Sequence, residues 1–82
     1  MSDYRRPELL NGVKVVDVVK DLVKNYGWEG LSEEFDYRCL TVKPSVDSFH
    51  KFLQANEWAR KDVERFYVKH LKIMKIREEL AN

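Results

Sequence analysis

The chain has 82 residues, 15 of them Lys or Arg and 14 Asp or Glu, and a single cysteine, Cys39. That length holds one small domain, the near-balance of charge points to no partner by itself, and one cysteine excludes an internal disulfide. No apolar run approaches the ~20 residues that span a bilayer as a helix, and Met1 to Pro7 carry no signal-peptide core, so a reducing, cytoplasmic setting is the expectation.

Residues 1–11 are polar, contain Pro7 and show no period, which predicts a flexible N-terminal arm in which Arg5 and Arg6 are available to an anion. From Lys14 to Tyr26 the apolar residues Val15, Val18, Val19, Leu22, Val23 and Tyr26 recur at helical spacing. The valines favour a strand, but propensity differences below ~0.7 kcal/mol per residue are smaller than the burial of a whole stripe. A helix is therefore predicted, ending on a left-handed Gly27.

Trp28, Leu31 and Phe35 predict a short second helix, weakened by Gly30. Asp36 to Lys43 lack a helical period and are expected as an extended connector, with Tyr37, Cys39 and Val42 inward and Arg38 outward. Pro44 biases Lys43 away from helix. Ser45 is a good N-cap for a third helix carrying Val46, Phe49, Phe52 and Leu53, and Asp47 suits its first turn. A break near Ala55 to Glu57 precedes a fourth, longest helix with Asn56 as its N-cap. The expected fold is all-α: a compact four-helix domain over residues 12–72, with 73–82 as a helical C-terminal extension bearing Ile73, Ile76 and Leu80.

The last helix has two faces. At about 100° per residue, Ala59, Val63, Phe66, Tyr67, His70 and Met74 share the side that packs. Lys61, Arg65, Lys69, Lys72 and Lys75 fall within an arc of roughly 120°, nearly opposite. Charge is polarised along the chain: residues 1–42 carry a net −2 and residues 43–82 a net +3. A basic face of this kind usually only solvates a helix, but from Arg65 to Arg77 it contains no acid to balance it.

Catalytic constellations are not visible. His50 and His70 lie on different predicted helices, no Cys or carboxylate stands at metal-ligand spacing from either, and no phosphate-cradling glycine loop occurs. No metal and no cofactor are expected. Cys39 reads as a small buried hydrophobe and Glu33, Glu34 and Asp36 as a solvated helix end. The aromatics Trp28, Phe35, Phe49, Phe52, Trp58 and Phe66 read as core, Tyr4 and Tyr37 as the exposed tyrosines, and Tyr67 as a boundary residue whose hydroxyl can reach a phosphate.

Several short motifs occur in a fixed order: Asn11-Gly12-Val13, Leu22-Val23, Tyr26-Gly27-Trp28 with Leu31, Arg38-Cys39, Pro44-Ser45, Lys51-Phe52-Leu53, and Trp58-Ala59-Arg60 with Val63-Glu64 and Tyr67. In these the chain resembles the small bacterial family represented by the VF-type DNA-binding protein, from about Asn11 to Tyr67. The resemblance implies a four-helix domain similar to the C-terminal double-stranded-DNA-binding domain of RecA. The sequence departs from the family pattern at Glu57, where Pro is expected, at Lys14, where a Ser or Thr cap is expected, and at Leu40, where an aromatic is expected.

The function expected from stripe and resemblance together is non-catalytic, sequence-tolerant binding of double-stranded DNA through phosphates. Lys61, Arg65, Lys69, Lys72 and Lys75 are the candidate contacts, with Arg38, Lys43 and Lys51 as additions from neighbouring elements. The alternative is a protein-interaction or self-association module that pairs through the apolar part of the C-terminal extension.

Overall fold

The computed structural model describes residues 5–81 of the chain. They form three α-helices, α1 (Val15–Glu34), α2 (Val46–Ala55) and α3 (Glu57–Ala81), with single 3-10 turns at Glu8–Leu10 and Arg38–Leu40. No strand occurs among the described residues, so the valine-rich start of α1 follows its period rather than its composition. Each helix packs on the other two. The core between them holds Leu10, Val18, Val19, Leu22, Leu31, Leu40, Phe49, Leu53, Ala59 and Val63, all essentially without exposed surface.

The expected four helices are three. Trp28 to Glu34 is not a separate element but the distal arm of α1, which Gly27 alone bends, with φ 70° and ψ 171°. The sign of φ matches the expectation, but ψ lies far from the left-handed helical value, in a region essentially reserved for glycine. The helix turns there and resumes at once, without a loop. Gly30 has a packing reason: a Cβ at this position would stand 3.2 Å from the Tyr26 Cβ across the bend. Lys14 makes no side-chain cap at the start of α1.

The connector is not extended throughout. Thr41 N–H and Val42 N–H both donate to the Arg38 carbonyl, closing the turn that buries Leu40. Tyr37 is buried at 7 % exposure, in keeping with its inward place in the connector and against its reading as an exposed tyrosine, whereas Val42, expected inside, is exposed. Lys43 takes a positive φ of 45° ahead of Pro44. Ser45 then caps α2 as expected: its hydroxyl accepts from Ser48 N–H at 3.0 Å, and the Ser48 hydroxyl accepts from Ser45 N–H at 3.3 Å.

Asn56 is the single residue between α2 and α3, with φ −129° and ψ 95°. Its carbonyl accepts the first amides of α3, from Ala59 and Arg60. Its side chain, expected to cap α3, instead turns back and donates to the Phe52 carbonyl at 2.9 Å, closing α2. One residue thus serves both ends of the corner.

The expectation of a loose arm over residues 1–11 is corrected for residues 6–11, while residues 1–4, Tyr4 among them, lie outside the described part. Leu10 is fully buried. Arg6 donates its Nε to Glu64 on α3 and its Nη1 to the Leu10 carbonyl at 2.7 Å. The polar composition of this stretch concealed one apolar anchor and one ion pair, and these two hold it to the body.

Candidate nucleic-acid interface

α3 positions the candidate contacts. Ala59, Val63, Tyr67 and His70 are buried and Phe66 is half-buried, so the packing face is the one the sequence predicts. Met74, expected on it, is 43 % exposed because the body ends before it. Lys69, Lys72 and Lys75 are exposed. Arg65 is exposed and its Nη1 lies 3.9 Å from Asp62. Lys61 is half-buried, its Nζ 3.8 Å from Glu57. Such loose intrahelical pairs contribute about 0.3–0.5 kcal/mol, which a phosphate oxygen can outcompete.

Three further candidates lie on other elements. Arg38 opens the second 3-10 turn and is exposed, Lys43 is exposed beside Pro44, and Lys51 is exposed on α2 with its Nζ 3.1 Å from Asp47. Their chain neighbours Tyr37 and Phe52 both abut Trp58, with ring centroids 5.6 and 6.0 Å away. Arg38 and Lys51 therefore belong to elements that meet α3 at its N-terminal end.

Trp58, expected in the core, is 57 % exposed. The signal was present: Trp58, Arg65, Lys69 and Lys72 are spaced i, i+7, i+11 and i+14, so their directions on the helix fall within about 60° of one another. The indole heads the same face as the basic side chains and borders a shallow groove of about 480 Å³ with Asn56, Lys61, Asp62 and Arg65.

The remaining polar groups are structural. Tyr67 is buried, and its hydroxyl donates to the Asp21 carboxylate on α1 at 2.7 Å rather than reaching outward to a phosphate. Burial and this hydrogen bond push the Tyr67 phenol up to about 12. His70 is buried, as expected of a hydrogen-bonded core histidine; its Nδ1 meets the Tyr26 hydroxyl at 2.7 Å and its ring stacks on Tyr67. Burial pushes the Cys39 thiol up, which keeps it protonated and a poor nucleophile. His50 is half-buried and lines a wider, shallow groove of about 820 Å³ with Arg6, Lys14, Glu57 and Arg60. No group of three His, Cys, Asp or Glu among the described residues could hold a metal ion, and none of their helices is long and apolar enough to cross a membrane.

A small all-α domain with one long helix, basic along its exposed face, is the class of protein this geometry defines. The model of the family DNA-binding protein VF530 matches residues 6–68, and the chain belongs to that family. The match begins at the arginine that anchors the N-terminal segment and stops within α3, before Lys69, Lys72 and Lys75. No curated protein and no solved structure matches the chain significantly.

Proposed function

We propose that this protein is a non-catalytic, cytoplasmic double-stranded-DNA-binding module that holds phosphates along the exposed face of α3. The observation that carries the reading is the alignment of Arg65, Lys69 and Lys72 on one side of a helix whose other side packs on the body, in a chain belonging to a family of DNA-binding proteins. Lys61 and Lys75 extend the row at its edges, and Arg38, Lys43 and Lys51 add contacts from the neighbouring elements.

From Lys61 to Lys72 the stripe rises about 16 Å at 1.5 Å per residue, enough to pass several phosphates spaced about 3.4 Å along one strand. Four contacts give a slope of log K against log salt of about −3.6. Contacts to phosphates are the same whatever the base, and no Asn or Gln in the basic row reads adenine, so binding is expected to be weak and tolerant of sequence. The test is a salt-titrated binding assay on duplex DNA with the parent and with Lys61, Arg65, Lys69 and Lys72 all changed to Glu. The variant is expected to keep its helical circular dichroism and to lose binding; unchanged affinity at low salt would remove this surface from consideration.

A second reading rests on Ile73, Ile76 and Leu80, which are 44, 55 and 82 % exposed at the end of α3. Their spacing suits helix pairing with another chain. Salt separates the two readings, because apolar pairing does not weaken as ionic strength rises.

A further inference from the structure

We propose that Trp58 is a nucleobase-stacking platform at the head of the basic face of α3, and that the preferred target is DNA carrying unpaired bases (a single strand, a single-stranded overhang or a distorted site) rather than intact duplex alone. This rests on the DNA-binding reading above and names its target more closely.

Three observations converge on this residue. Trp58 leaves more than half of its surface in water although a small core is close by. It is nonetheless held in place: Tyr37 and Phe52 meet the indole nearly at right angles, at 78° and 87°. Tyr37 is itself buried and stacked on Phe35, so the support is tied into the core. Thirdly, the ring stands at the head of a row of cations: in its own groove Lys61 and Arg65 are balanced by Glu57 and Asp62, and beyond them Lys69 and Lys72 continue along the same side of the helix.

A buttressed aromatic ring at the end of a cationic track is the arrangement that single-strand binders use. The charges follow the backbone while the ring takes a base, whatever its identity, because every base has a π-face. In intact duplex the base faces are stacked on one another and out of reach. The indole therefore adds affinity only where a base is free, and the lysines and arginine act on both substrates alike.

The chain has two tryptophans, and the second, Trp28, is half-buried against Phe49. Trp28→Phe thus leaves Trp58 as the sole indole reporter. We expect oligo-dT to quench its fluorescence and a blunt duplex of equal length to quench it much less. Trp58→Ala is expected to weaken single-strand binding by roughly 5- to 150-fold, to leave blunt-duplex affinity within about twofold, and Trp58→Phe to retain most of the binding. Circular dichroism melting checks the fold of each variant; should Trp58→Ala unfold, Trp58→Phe and the quenching experiment decide.

Absence of quenching while the parent binds DNA, or equal losses on both substrates, would overturn the platform and leave phosphate binding standing. Failure of the parent to bind either substrate at low salt would overturn both.

Discussion

Arg6 donates its Nε to the carboxylate of Glu64 across 58 residues of chain, and Glu64 has no exposed surface. A buried carboxylate left without this guanidinium retains the cost of desolvation while losing an attractive partner. Arg6→Ala is therefore expected to destabilise the domain by roughly 2–4 kcal/mol, near the lower end of the usual range for breaking a buried pair, since Arg6 itself is partly exposed. Urea unfolding measures it. An unchanged midpoint would show that residues 6–10 are not held to α3 through this pair.

Two buried tyrosines have opposite hydrogen-bonding situations. The Tyr67 hydroxyl donates to Asp21, and the Tyr37 hydroxyl is buried without a partner among the described residues. Tyr67→Phe strands part of the Asp21 carboxylate and is expected to cost about 1–3 kcal/mol. Tyr37→Phe removes an unsatisfied polar atom and keeps the ring that supports Trp58, so it is expected to be neutral or to stabilise by up to about 1 kcal/mol. The two midpoints in one denaturant series decide it.

The same residues set an alkaline limit. Burial, with Asp62 and Cys39 adding to it, pushes Tyr37 up to about 12, and burial with the Asp21 interaction takes Tyr67 to about 12. Between pH 10 and 12 the unfolded chain has released both phenolic protons and the folded chain has kept them, so stability falls as pH rises. The contribution is intact below pH 10 and disappears toward pH 12, at up to about 2–3 kcal/mol per tyrosine. Thermal melts from pH 9 to 12 should show a falling midpoint, with a shallower fall in Tyr37→Phe.

Gly27 stands at a backbone position where a side chain is strained although nothing lies within 4 Å of the added Cβ. Gly27→Ala is expected to cost about 1–3 kcal/mol, and the loss comes from the backbone angles, φ 70° with ψ 171°, and not from a clash. A stability equal to the parent's would mean that α1 can straighten without disturbing its packing on α2 and α3.

Local and periodic features were legible in the sequence. The stripes of α1 and α3 and the Ser45 cap follow from residues within a few positions of each other, and burial of several side chains on one stripe outweighs the strand preference of the valines. Distant partners were not legible. Glu64 reads as one more solvated acid on a charged helix, and the chain path that brings Arg6 alongside is what the sequence does not show. Tyr67 reads as free to reach a phosphate until α1 supplies Asp21.

In the candidate interface the row of cations was readable from helix geometry. Trp58 reads as core by its ring, while its direction on the helix lies with Arg65 rather than with Val63. Glu57 and Asp62 stand beside Lys61 and Arg65, and a row defined by its cations leaves these acids out.

The last turns of α3 carry a thermal consequence. All side chains from Lys72 to Leu80 are exposed, and a segment of that length would not be a stable helix alone in water. It remains helical because the packed part of α3 has already met the cost of nucleation, leaving only propagation, which is nearly neutral per residue and weakens on warming. The end of α3 should fray inward from Ala81 well below the cooperative melt, so the length of helix available beyond the body, and the ordered reach of Lys75 and then Lys72, shortens steadily with temperature.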